Sequence, residues 1–142
     1  MKLVKHLLDS KGADVISIAG DASVLEAITI MAEHSIGSLL VMEGSTLKGI
    51  VTERDYARKV IVKGRSSKST RVDEIMTVEV FTASVDQTVN KCMTVMTERR
   101  IRHLPVVDND KVVGMISIGD LVQAIIADQQ EEIQQLEQYI SG

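Results

Sequence analysis

The stretch Gly49-Ile50-Val51-Thr52-Glu53-Arg54-Asp55 returns later in the chain as Gly114-Met115-Ile116-Ser117-Ile118-Gly119-Asp120. Each copy is a glycine, two apolar residues, a hydroxyl one position further on, and an aspartate three positions beyond the hydroxyl. An apolar run with helical spacing follows both. The shift of 65 residues holds well outside the motif, because residues 15–61 lie over 80–126 without a gap. Identical pairs along that alignment include Val15/Val80, Asp21/Asp86, Val24/Val89, Met31/Met96, Ile36/Ile101, Leu39/Leu104, Val41/Val106 and Ile61/Ile126. Self-similarity at one fixed displacement marks a fold made of two copies of one supersecondary unit.

Working outward from the motif gives the unit. Val24, Ala27, Ile28, Met31 and Ala32 follow the i, i+3, i+4, i+7, i+8 spacing of an amphipathic helix, opened by a Ser23/Glu26 capping box. Ile36–Met42 is an apolar β-like run, Glu43-Gly44-Ser45 a hairpin turn, and Leu47–Val51 a second strand. A helix then starts near Glu53 and is expected to reach about Val62. Before the first helix come a short strand at Val15–Ile18, a turn at Lys11-Gly12-Ala13-Asp14, and a helical lead-in through Leu3, Val4, Leu7 and Leu8. The lead-in has its own echo, Val72, Ile75 and Met76, at an offset of 68. The second copy predicts strand 80–83, helix 88–99, strand 103–107, a turn at Asp108-Asn109-Asp110, strand 111–116 and a helix from about 118. Each unit is β-α-β-β-α, an α/β arrangement of short sheets covered by helices. The boundaries expected are 1–62 and 72–127 for the repeats, 63–71 for the linker and 128–142 for a helical tail.

Composition narrows the function. At 142 residues the chain fits one compact domain, and a 44% hydrophobic content suits a globular protein. Tyr56, Phe81 and Tyr139 are the only aromatics, so a flat ligand would be sandwiched by Ile, Val and Met. A net charge of −4 speaks against a nucleic-acid binder. The single cysteine, Cys92, falls at an apolar helical position and offers neither a disulfide nor a zinc cluster. His6, His34 and His103 show no ligand spacing, and no nucleophile stands with a base, so the reading is non-enzymatic and without a metal. The absence of a long apolar stretch or a signal-type N-terminus points to a cytoplasmic protein, or an organellar one whose transit peptide has been removed.

Two segments invite a further role. Arg58 to Arg71 carries basic residues and no acid, and its Arg65 and Ser66 suit either a solvated linker or a phosphate-meeting loop. In the tail Val122, Ile126, Gln129, Ile133, Leu136 and Ile140 alternate steps of four and three, the seam of a helix facing a partner.

The repeated motif itself has two readings. Thr52 and Ser117 suit helix N-caps, with the following acid returning the hydrogen bond. The same geometry also suits a ligand: free N–H groups at a helix start attract phosphate, and an aspartate one turn in accepts the hydroxyls of a ribose. Gly49 and Gly114 would let that ligand approach the strand. In the second copy Arg102 and His103 precede a strand, and at least one of them should face the site.

With Ile101-Arg102-His103-Leu104-Pro105-Val106-Val107-Asp108 and the doubled motif, the chain resembles a tandem pair of cystathionine-β-synthase (CBS) domains of the stand-alone type, with repeats related by a pseudo-two-fold axis. The resemblance covers about residue 4 to 127 and implies adenosine-nucleotide binding in two clefts between the repeats. AMP is the first expectation, with ADP, ATP or NAD as others. One cleft would use Asp120 for ribose, Ser117 and Arg102 or His103 for phosphate, and Met115 with Ile16 around adenine, with Gly119 also among its ligand-binding residues and Lys11 and Gly12 lying at its mouth. The other would use Asp55 for ribose, Thr52 and Arg54 for phosphate, and Ile50 with Phe81 around the base. There Gly37-Ser38 replaces Arg102-His103, so Arg54 or the Arg65–Ser66 loop would supply the charge. The expected role is a regulatory sensor acting on a partner protein, as a homodimer, without nucleic-acid or membrane contacts. The alternative is a structural dimerisation module whose motifs are only caps.

Overall fold

The computed structural model describes residues 2–12 and 15–141, so Ala13 and Asp14 of the expected turn lie outside the described residues. In chain order the elements are α1 (Val4–Lys11), β1 (Ser17–Ile18), α2 (Val24–His34), β2 (Ser38–Glu43), β3 (Thr46–Thr52), α3 (Glu53–Tyr56), β4 (Ala83–Ser84), α4 (Val89–Arg99), β5 (His103–Asp108), β6 (Lys111–Ser117) and α5 (Ile118–Ser141). A π-helical turn (Ala57–Ile61) extends α3, and a 3-10 turn (Val72–Glu74) follows the linker. The chain divides into two compact units, Val15–Phe81 and the N-terminal segment with everything from Thr82 onward.

In the unit Val15–Phe81, three strands are ordered β1-β2-β3, with β1 parallel and β3 antiparallel to β2. The Ser23 hydroxyl accepts from the Glu26 amide at 3.1 Å, one half of the expected capping box. Val24, Ala27 and Met31 then carry the apolar stripe of α2 inward, and Ser35 in the left-handed region (φ 53) ends the helix. The core joins these residues to Leu39, Val41 and Val51 of the sheet, and to Val60, Val72 and Ile75 from further along the chain.

The other unit repeats the pattern. Its sheet is ordered β4-β5-β6, Thr88 caps α4 by accepting from the Lys91 amide, and Arg100 (φ 55) ends that helix as Ser35 ends α2. Asn109 and Asp110, both at positive φ, close the β5–β6 hairpin. Val4, Leu7, Cys92, Met96, Leu104, Val106, Ile116 and Leu121 share its core.

Three details differ from the expectation drawn from the sequence. The strand placed at 80–83 is only Ala83–Ser84, since the parallel pairing with β5 reaches no further than Val106 and Val107. The helix expected to reach about Val62 does so, but with a change of hydrogen-bond pattern on the way, the Val62 amide donating to Ala57 O at 3.0 Å. The strand expected at Val15–Ile18 is only Ser17–Ile18, while the helix from 118 runs unbroken for 24 residues through the expected helical tail.

The lead-ins matter most for the motif. α1 packs in the unit of the second sheet, and its counterpart around Val72–Met76 packs in the unit of the first. Each therefore backs the motif glycine of the repeat to which it does not belong. A Cβ on Gly114 would stand 2.6 Å from Leu8 Cδ2, and one on Gly49 would stand 2.7 Å from Thr77 O and 2.8 Å from Met76 Sδ. The expectation that these glycines make room for a ligand is corrected: the chain's own segments occupy that space. Leu8 and Met76 are the equivalent pair at the offset of 68.

Candidate functional site

Equivalent registers place the motif hydroxyls. Ser38 of β2 stands opposite Thr52, and His103 of β5 stands opposite Ser117. At each junction the strand ends on the hydroxyl and a helix begins on the next residue, so one hydroxyl–aspartate pair caps the helix start. The Asp55 amide donates to Thr52 Oγ1 at 3.1 Å and the Thr52 amide donates to Asp55 Oδ2 at 3.0 Å. The Asp120 amide likewise donates to Ser117 Oγ at 3.1 Å, and the Ser117 amide to Asp120 Oδ2 at 2.8 Å. The capping reading of the motif is thus realised in both copies.

The second oxygen of each carboxylate separates the copies. Asp55 is buried at 7% exposure and its Oδ1 is paired with Lys59 Nζ at 3.0 Å, one turn along the same helix. Lys59 also donates to Ile75 O at 2.8 Å. Both oxygens of Asp55 are engaged. At Asp120 the equivalent helical position is Ala124, and the lysine comes from α1 instead. Lys11 Nζ donates to Asp120 Oδ2 at 2.6 Å and to Met115 O at 2.7 Å. Asp120 Oδ1 has no hydrogen-bond partner among the described residues.

Electrostatics follow from this arrangement. Burial pushes the Asp120 carboxyl up, yet the Lys11 ammonium and the Ser117 amide outweigh it and hold the group below its ordinary 3.8. Burial lowers His103 below its ordinary 6.5, with Lys11 and Arg102 acting in the same direction and Asp120 opposing. His103 is therefore a neutral imidazole at pH 7, half-buried beside the carboxylate. Arg102 is exposed, and its carbonyl accepts the Ile118 amide at 2.9 Å. A groove of about 290 Å³ runs from this point between α1 and α5, lined by Lys2, His6, Ser10, Lys11, Asp120 and Gln123 among others.

Because the folded carboxyl titrates below its unfolded value, the stability that Lys11 lends Asp120 is complete above pH 3.8 and disappears as pH falls through the depressed value. We expect Lys11→Met to cost about 1 kcal/mol or less near neutrality, since the pair is part-exposed and screened. Urea unfolding of both proteins across a pH series should show the difference closing under acid.

Lys11, Gly12, Arg102, His103, Met115, Ser117, Gly119 and Asp120 fall in one unit; Ile16, Ser38, Ile50, Thr52, Arg54, Asp55, Arg65, Ser66 and Phe81 fall in the other. Around Asp55, Ser38 is buried, Arg54 is exposed, and the Ile50 amide is held by Thr77 O at 3.0 Å. Ile16 O accepts the Leu40 amide at 3.4 Å, and Phe81 is 39% exposed. Of the basic loop, Arg65 donates to Glu74 Oε1 at 2.7 Å, and Ser66 O accepts both the amide and the hydroxyl of Thr70. Those contacts tie the loop back onto its own unit. Lys59 escaped the sequence reading, although Asp55 and Lys59 at i, i+4 on a helix were a legible pair. Among the described residues no cluster of three acids, histidines or cysteines is placed to hold a metal, and no helix is long and apolar enough to cross a membrane.

Chemically the Asp120 junction offers one open carboxylate oxygen, an ammonium, a hydroxyl, a neutral imidazole and the apolar Met115. That set suits a sugar carrying vicinal hydroxyls and a nearby anion.

Comparison with known proteins agrees with the repeat. The CBS domain pattern matches residues 4–62 and again 72–127. The chain is 46% identical over 127 residues to the mitochondrial CBS domain-containing protein CBSX3 of Arabidopsis thaliana, covering 86% of this chain but 62% of that protein. A solved protein with CBS domains from Burkholderia ambifaria MC40-6 superposes with a TM-score of 0.87 at 50% identity, over 90% of this chain and 96% of the other. The CBS domain pair of protein MJ0100, solved in complex with 5′-methylthioadenosine and S-adenosyl-L-methionine, gives a TM-score of 0.79 at 30% identity over 90% and 98% of the two chains. With two matched repeats and both motif copies in place, the chain belongs to the CBS-domain family as a tandem pair.

Proposed function

We propose that this CBS pair is a non-catalytic sensor that binds an adenosine nucleotide at its strand–helix junctions and passes occupancy to a partner protein. AMP is the first candidate, with ADP, ATP and NAD sharing the same adenosine. The observation that carries the reading is the open Oδ1 of Asp120 beside Lys11 and Ser117. A ribose donates to the first, and a phosphate meets the other two. The adenosine ligands of protein MJ0100 support the class of ligand. Asp55, whose two oxygens are both engaged, is expected to bind more weakly than Asp120. A switch of this kind needs the ligand to favour one conformation over another. The compartment consistent with such a ligand is the cytoplasm or an organelle, as the name of the Arabidopsis relative suggests.

Mass spectrometry of small molecules that co-purify with the protein, followed by calorimetry with AMP, ATP and NAD, tests this. An adenosine nucleotide bound in the micromolar range or tighter is expected. No binding by any of them rejects the sensor.

A second reading rests on α5. Val122, Ile126, Ile133, Leu136 and Ile140 of the expected seam are exposed along it, as is Tyr139. If that seam joins two copies, the doubly substituted Ile133→Asp, Leu136→Asp protein sediments as a monomer where the parent sediments as a dimer. A parent that is already monomeric at micromolar concentration dismisses the dimer.

A further inference from the structure

Lys11 occupies an unusual position for a residue beside a sugar site. Its ammonium already satisfies Asp120 Oδ2 at 2.6 Å and Met115 O at 2.7 Å, so a first ribose hydroxyl finds Oδ1 open but a second must share or take the oxygen that Lys11 holds. It reaches them from the last residue of α1, next to Gly12 at a positive φ of 95°, and 36% of the side chain stays in contact with solvent. The second site has no such freedom. There Lys59 lies within the helical turn that Asp55 opens, and the geometry of that helix keeps the pair together.

We propose that Lys11 selects for an anion on the ligand, by giving up Asp120 to the sugar hydroxyls only when the ligand returns a negative charge to its ammonium. This rests on the nucleotide reading of the Asp120 junction. A neutral adenosine derivative whose two hydroxyls take both oxygens of Asp120 strips the Lys11 ammonium of its carboxylate and offers nothing in exchange, which costs the lost ion pair. A phosphorylated derivative carries its own replacement. The other groups around the junction do not fill this role. His103 is neutral at pH 7, and the Ser117 hydroxyl and the backbone amides carry no net charge. Arg102 makes no ion pair among the described residues and lies exposed on the strand approach, so it gives up no contact when a ligand enters.

The discriminating probes are AMP and 5′-methylthioadenosine, which share adenine and both ribose hydroxyls and differ at the 5′ carbon. Calorimetry on the full chain should give a preference for AMP that falls about tenfold or more in Lys11→Met and survives in Lys11→Arg. The change has two parts: AMP binds Lys11→Met more weakly, while methylthioadenosine binds it as well as the parent or better. Independently of any ligand, the Asp120 carboxyl followed by NMR should titrate higher in Lys11→Met. Retained binding of both probes with an unchanged ratio overturns the role of Lys11 and leaves the site standing. An Asp120 titration indifferent to the substitution overturns it as well. Failure of both probes to bind the parent protein removes the sensor reading and this inference together.

Discussion

Gly49→Val is expected to unfold most of the protein at temperatures where the parent is intact, with a loss of about 3 kcal/mol or more. The reason is local and steric. Ile50 exchanges two backbone hydrogen bonds with Thr77, at 3.0 and 2.8 Å, and this draws the segment after Val72–Glu74 down across β3. Gly49 is where that segment lies flattest, so the first carbon of any side chain would meet Thr77 O at 2.7 Å. A backbone oxygen held by its own ladder cannot turn aside, and the same carbon would stand 2.8 Å from Met76 Sδ, with the rest of the valine still to be placed. Gly114→Val is the internal control. There the first contact is the end of the Leu8 side chain, which can change rotamer, so a cost about half as large is expected. Equilibrium urea unfolding of the three proteins measures both. If Gly49→Val unfolds at the same denaturant concentration as the parent, the segment around Met76 and Thr77 is not seated on β3.

The same pair of glycines shows how far the sequence could be read. The offset of 65 placed the motifs, the strand pairs and both long helices, because period and turn chemistry are local signals. The offset of 68 identified Leu8 and Met76 as equivalents but gave no hint of which sheet each would cover, since that is settled by packing between distant segments. The π-helical turn after Tyr56 was invisible for another reason. Val60 is fully buried in a uniform helix or in a widened one, and a hydrophobic pattern does not record which carbonyl an amide chooses. Register alone places His103 directly across from Ser117, at the start of β5, with Arg102 one residue before the strand. Lys59 could have been found from its spacing to Asp55. Lys11 could be placed near the site only through family resemblance, for it meets Asp120 across 109 positions of sequence and nothing nearby announces the pair.

Asp120→Ala should lower AMP affinity by about a hundredfold, whereas Asp120→Asn should lower it by about tenfold. The two differ in what they spare. Asparagine keeps an oxygen that accepts the Ser117 amide, so the start of α5 remains capped and the change is chiefly one of charge. Hydrogen bonds from sugar hydroxyls to a carboxylate contribute about 1.5–3 kcal/mol, and those to a neutral amide oxygen roughly half. Each 1.4 kcal/mol is about one factor of ten in the dissociation constant. Alanine removes the acceptor entirely and takes the cap with it, at about 1 kcal/mol of stability. The fold should tolerate that loss, because α5 is anchored by the buried Leu121 and Ala124. Thermal melts therefore separate the two effects: the larger fall in melting temperature for alanine, which loses both the cap and the Lys11 pair, a smaller one for asparagine, which loses only the pair, and a graded loss of AMP affinity across the series. The matching change at Asp55 should invert the balance. That carboxylate is buried and spans Thr52 and Lys59, so Asp55→Ala is expected to cost more stability and less AMP affinity than Asp120→Ala. Unchanged AMP binding in Asp120→Ala, with the expected small fall in melting temperature, would reduce the repeated aspartate to a helix cap and leave the nucleotide without its acceptor.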